Sequence, residues 1–170
     1  MLFRHAIVAI ALAVASPALA HEYTIGTLEI IHPNIPAAIG NAPTAAGFMQ
    51  ITNTGSEPDA LISATSNFSG RTEVHESSVD ASGVATMTHI ERLEILPGET
   101  VTLEHGGFHV MFMDVKEPPA EGMMVPVTLT FEKAGSIAVE FKVEPRGSHD
   151  GSKDGHGAHA GHGTQEAPSN

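Results

Sequence analysis

The sequence predicts an all-β domain, an antiparallel sandwich or barrel, and three observations carry that expectation. Short segments alternate apolar and polar residues with the period of a strand; Ile137, Val139, Phe141 and Val143 against Ala138, Glu140 and Lys142 show it most clearly. Turn-forming clusters punctuate these segments, drawn from 17 Gly and 11 Pro. No long run of apolar residues recurs at helical spacing. A length of 170 residues fits one domain, and 5% aromatic content with no Trp makes the core depend on aliphatic side chains and seven Phe.

Residues 1–20 read as a secretory signal. Arg4 supplies the positive end, residues 6–15 are apolar, and Ala18-Leu19-Ala20 fits the small-x-small cleavage rule. The apolar run is too short to cross a bilayer. The mature chain is expected to begin at His21 and to be periplasmic. A free α-amino group beside the His21 imidazole offers a chelate for Cu(II); the alternative is that cleavage merely falls there.

The folded domain is expected over residues 21–145. Residues 23–31 form the first strand, ended by His32-Pro33, with His32 a polar loop residue. Residues 46–53 form a strand in which Met49 packs in the core, and Asn53-Thr54-Gly55-Ser56 turns the chain. A short strand at 59–65 leads through a Ser/Asn/Gly turn to a hairpin with arms 71–78 and 84–96, joined by Asp80-Ala81-Ser82-Gly83. Pro97-Gly98 turns into a strand at 100–103, and His105-Gly106-Gly107 delivers the strand from Phe108, with His105 beside that strand's site face. After a Pro-rich loop, where Met123 and Met124 pack, residues 125–131 form a strand whose Pro126 marks a sheet edge. The segment at 137–143 closes the last hairpin.

The formal charge of −12 argues against nucleic acid and against anionic lipid, leaving contact with a membrane to protein partners. The chain has no Cys, which excludes disulfides and a Cys-ligated blue-copper centre. No G-x-S-x-G, H-E-x-x-H or Gly-rich phosphate loop occurs, so the sequence does not read as an enzyme. The enzyme alternative, an oxidase-like site on the His21 amino terminus, requires a second inward His, with His32 the nearest candidate.

The chemistry concentrates in Phe108-His109-Val110-Met111-Phe112-Met113-Asp114. On a strand, Phe108, Val110 and Phe112 point to one face, and His109, Met111 and Met113 to the other. Imidazole with thioether suits Cu(I). On the upstream hairpin, His75 opposes Met87 if the loop has an odd number of residues, through a bulge after Val79; an even loop puts the two on opposite faces. His89 shares parity with Met87 and reads as an exposed polar-face residue.

His75 is followed by Glu76, ten residues, Met87, twenty-one residues, and His109-Val110-Met111. This spacing resembles the H(M)x10Mx21HxM signature of the periplasmic copper chaperone (PCuAC) family. Pro97-Gly98-Glu99, Glu104-His105-Gly106-Gly107-Phe108-His109 and Phe131-Glu132-Lys133-Ala134-Gly135 are similar too. Glu76 takes the place of the optional Met. The resemblance implies a cupredoxin-like sandwich and a Cu(I) site of His75, Met87, His109 and Met111; the alternation, which sets His109 and Met111 opposite the Phe108, Val110 and Phe112 core, puts that site near the surface. The resemblance also implies delivery to the copper-centre subunit of cytochrome c oxidase, alongside a thiol-containing copper assembly chaperone. The runner-up is a copper-buffering or tolerance protein with no dedicated recipient; loss of the gene then gives copper sensitivity rather than a copper-rescued oxidase deficiency.

Residues 146–170 lose all apolar period, and the composition predicts a disordered tail. It carries His149, His156, His159 and His162 on a Gly-rich chain, a pattern suited to Cu(II) or Zn(II).

Overall fold

The computed structural model describes residues 22–147. The signal segment, His21 and the four tail histidines lie outside the described residues. Eleven strands and no helix make up the described part. In chain order they are β1 (Glu22–Ile25), β2 (Leu28–Pro36), β3 (Thr44–Asn53), β4 (Asp59–Ser66), β5 (Arg71–Val79), β6 (Ala85–His89), β7 (Leu93–Ile95), β8 (Thr100–Leu103), β9 (Phe108–Met113), β10 (Met124–Phe131) and β11 (Gly135–Glu144). They form one curled sheet in the order β6-β5-β9-β8-β3-β2-β11-β10-β4-β7, with β1 paired to β2. The fold is all-β and cupredoxin-like. It is not purely antiparallel, because β11 runs parallel to β2 and a single parallel bridge joins Leu103 to Phe108.

Period-two alternation supplies the core. Val125, Val127, Leu129 and Phe131 of β10 are buried, as are Val139, Phe141 and Val143 of β11 and Val110 and Phe112 of β9. Phe112 stands edge-on to Phe141 with ring centres 6.1 Å apart, and Phe68 tilts against it at 4.7 Å. Gly47 of β3 makes this packing possible: a Cβ there would lie 2.8 Å from the Phe141 ring and 2.9 Å from the Phe112 ring. Met49 is buried, as its apolar strand predicts.

Buried polar groups fix the ends of strands. Asn53, fully buried, donates from Nδ2 to the carbonyls of Glu57 (2.7 Å) and Ile95 (3.1 Å) and accepts from Gly55 N (3.0 Å). Asp59 accepts from the backbone N–H groups of Ala60, Lys133 and Ala134 at 2.7–2.9 Å, tying β4 to the β10–β11 turn. Both residues satisfy the rule that buried polar atoms are hydrogen-bonded.

Four expectations from the sequence need correction. The first strand is a hairpin: Gly26, with φ +58°, turns β1 into β2. His32, φ +53°, sits within β2 where the register shifts, and its ring meets Glu144 at 3.3 Å. The segment 84–96 is two strands, since β6 pairs with β5 whereas β7 leaves to pair with β4. Finally, β10 is not at an edge; it lies between β11 and β4. Pro126 is tolerated because its partner Glu140 donates its N–H to Tyr23 Oη instead of to β10 (3.0 Å). That makes Pro126–Glu140 a pair without mutual hydrogen bonds, and the proline nitrogen faces the β4 side, one residue short of the first β4 partner.

Candidate metal centre

The site face belongs to three neighbouring strands, β6, β5 and β9. In the β5–β9 ladder His75 stands opposite His109, Glu73 opposite Met111 and Arg71 opposite Met113. In the β5–β6 ladder His75 stands opposite His89 and Ser77 opposite Met87. Opposed residues share a face, so His75, Met87, His109 and Met111 all project to one side. Met87 and Met111 are each diagonal neighbours of His75, on different flanks. Diagonal neighbours lie about 7–8 Å apart at their strand positions, within reach of a long thioether side chain.

The direct opposition of His75 and Met87 is therefore corrected. The loop is odd, as sharing a face requires, but it has five residues and no bulge: Val79 pairs with Ala85. Asp80 organises it. Its N–H donates to the Val84 carbonyl (3.0 Å), and its carboxylate accepts from Ser82 N, Ser82 Oγ and Val84 N at 2.6–3.0 Å. This places His89, not Met87, across from His75.

The two imidazoles of the β5–β9 pair are set up differently. His75 Nε2 donates to Glu73 Oε2 at 2.8 Å, because a carboxylate can only accept. In the neutral ring Nδ1 then carries the lone pair, and this atom is buried without a hydrogen-bond partner among the described residues. His109 has the opposite arrangement. Its Nδ1 donates to the Gly107 carbonyl at 3.1 Å, leaving Nε2 with the lone pair. The Gly107 carbonyl also accepts from Ser77 N at 3.0 Å, so one turn residue anchors both β5 and the His109 ring. Burial is the main force holding the His109 imidazole below its usual pKa; the nearby His75 and His105 act in the same direction, and the Gly107 bond partly opposes them. The ring is thereby kept neutral, the state that can bind a metal.

The ring centres of His75 and His109 are 6.0 Å apart. An ion about 2 Å from one nitrogen of each ring holds the two ring centres at most roughly 6 Å apart, so the observed spacing fits a shared ion. His109 is buried at 5% exposure, deeper than a site near the surface implies, whereas Met87 is 53% exposed. The face thus grades from a closed end at His109 to an open end at Met87. The residues can hold a soft cation through two imidazole nitrogens and two thioether sulfurs.

Three further positions are settled by the geometry. Met113 shares the face, but its sulfur receives Arg71 Nη2 at 3.2 Å, and a guanidinium there disfavours a second cation. Glu76 pairs with Thr88 and Phe108 and so projects from the other face. His32 is engaged by Glu144. The sequence reading missed Glu73, whose one available signal is its position two residues before His75 on the same strand face.

A model of the family described as "Putative lipoprotein LpqE-like" matches residues 28–143. The chain belongs to the LpqE-like family. Among solved structures, the LpqE-like chain is 29% identical to the copper-bound PCuAC domain from PmoF2, over 74% of this chain and 98% of that one, with a TM-score of 0.63. The CuI-DR1885 solution structure from Deinococcus radiodurans shares the fold at TM-score 0.55 and 24% identity, over 76% of this chain and 84% of that one. A curated relative, "Putative lipoprotein Lxx21020" of Leifsonia xyli subsp. xyli, is 34% identical over 108 residues, 63% of this chain. The match spans 64% of that relative's own length. The PCuAC resemblance read from the spacing of the LpqE-like sequence and the structural likeness agree.

Proposed function

We propose that this protein is an exported copper chaperone that carries Cu(I) on His75, Met87, His109 and Met111. One observation carries the reading: His75 and His109 oppose each other across β5 and β9, each with one ring nitrogen tied to an acceptor and the other left with its lone pair. Two thioethers flank them on the same face, and sulfur ethers with imidazole favour the cuprous ion. The 29% identity to a copper-bound PCuAC domain supports the metal. The half-exposed Met87 supports a carrier, since an acceptor must reach the ion to take it.

On this reading the protein is not an enzyme, and copper is its cargo. The lipoprotein description of its family supports an envelope location, and the sequence of residues 1–20 supports the periplasm. Delivery goes to the copper-centre subunit of cytochrome c oxidase, directly or through a thiol-containing assembly chaperone, and the tail histidines capture Cu(II). The test is a competition titration with a Cu(I) chelator on wild type and Met111→Ala. Affinity is expected to fall by about tenfold or more in the variant. Equal affinities would remove the sulfur from the site.

A further inference from the structure

His89 has no part in the four-residue site, yet it faces His75 as closely as His109 does. The ring centres of His75 and His89 are 5.8 Å apart, against 6.0 Å for His75 and His109. The two flanking imidazoles differ in exposure. His109 is buried; His89 is exposed, on β6, which among the described residues ends the sheet with β5 as its one partner. Met87 lies beside His89 on the same strand face and is also exposed. Among the described residues no three His, Asp or Glu side chains converge as a ready-made cation site. His75 therefore has one imidazole on each flank, rather than two meeting at a point.

We propose that His89 is the transfer ligand of the copper site, the imidazole that takes over from His109 as the ion enters or leaves. The proposal rests on the copper-carrier reading above. His75, with its buried unpartnered Nδ1, is common to both arrangements. In the closed arrangement copper is held by His75, Met87, His109 and Met111, with Met87 on the open flank. In the transfer arrangement a bond to a ring nitrogen of His89 forms as the bond to His109 Nε2 breaks, while His75, Met87 and Met111 stay attached. Copper remains cuprous throughout, each new bond uses the lone pair of a neutral ring, and no electron or proton passes between the ligands. The ion moves from the buried flank to an edge strand whose outer side is open to an acceptor. A stepwise exchange of this kind spares the ion from losing two ligands at once.

The experiment measures the rate at which the full-length, Cu(I)-loaded chain gives up copper to a chromophoric Cu(I) chelator by stopped flow, alongside equilibrium affinity. His89→Ala is expected to slow release by about tenfold. Its equilibrium affinity should stay within about threefold of wild type, because loading slows by the same factor. Thr88→Ala, next in sequence but on the opposite strand face, should release at the wild-type rate. His89→Met, which restores a soft ligand at that position, should recover most of the lost rate. Release from His89→Ala at the wild-type rate overturns the proposal. So does an affinity loss as large as that of His109→Ala, which would make His89 a standing ligand. If wild type binds Cu(I) with His109-dependent affinity in either case, the carrier reading stands and this inference alone fails; absence of Cu(I) binding by wild type overturns both.

Discussion

Glu73 Oε2 accepts a 2.8 Å hydrogen bond from His75 Nε2, and the other nitrogen of that ring, Nδ1, is buried with no hydrogen-bond partner among the described residues. The carboxylate lies two residues before the imidazole on one strand face, so it fixes both the tilt of the ring and the nitrogen that carries the proton. The hydrogen bond from His75, with Arg71 nearby, keeps the Glu73 carboxyl below its usual pKa and so ionised. Glu73→Ala is expected to weaken Cu(I) binding by about 10–100-fold, with Glu73→Gln weaker by less, because an amide oxygen still accepts. Chelator competition checks this; wild-type affinity in Glu73→Ala would mean the carboxylate does not orient the ligand.

The tail and the folded domain are expected to bind different oxidation states. A chain ending at Pro145 should keep its Cu(I) affinity and lose Cu(II) capacity, since imidazoles alone suit Cu(II) while the thioethers lie on β6 and β9. Parallel titrations with the two ions read this directly. Loss of Cu(I) binding in the shortened chain would place a tail histidine in the core site.

Asp59 makes stability depend on acid. Burial raises its pKa, but the backbone donors of Lys133, Ala60 and Ala134 more than offset this, and the net shift is downward. A carboxylate with a folded pKa below its unfolded value of about 3.9 contributes stability that is fully present above that value and lost as pH falls through the folded pKa. Asp59→Asn should therefore cost about 1.5–3 kcal/mol at pH 7, the range for hydrogen bonds to a charged group. The gap between wild type and variant should close as pH is lowered from about 5 towards 2 in urea melts. A gap that does not change with pH would show that the charge is irrelevant to the three contacts.

Gly47 is a tightly packed point of the core. The added methyl of Gly47→Ala would meet two aromatic rings at 2.8 and 2.9 Å, and both rings are themselves fully buried. Overpacking of this kind costs about 1–3 kcal/mol. Urea denaturation should show a lower midpoint with an unchanged slope. Because Gly47 pairs with Val110, next to His109, a change in Cu(I) affinity is the second readout, and a small one is expected.

Local alternation made much of the fold legible. It gave the inward faces of β9, β10 and β11, buried Met49, and put His109 and Met111 on the face away from Val110 and Phe112. It gave the parity of His75 with Met87 only on condition of an odd loop, and the five-residue loop of the structure supplies that condition. It did not give the register. The hydrogen bonds of Asp80 to Ser82 and Val84 close a five-residue loop over 80–84, so Val79 pairs with Ala85 and His89 faces His75; a five-residue loop starting one residue earlier would have put Met87 there. The departure of β7 from β6 to β4 was equally out of reach, since the pairing joins residues far apart in the chain.

The sequence by itself determined which residue types were available, on which face of its own strand each would point, and that the chain forms strands rather than helices. Those properties depend on backbone geometry within a few residues. Tertiary structure decided which faces meet. It brought β5 between β6 and β9, gave His75 its two imidazole neighbours and Glu73 its role, and buried His109 while leaving His89 in solvent. Such pairings are set by the packing of the whole core and by the turns that fix register, and the alternation of apolar and polar residues encodes neither.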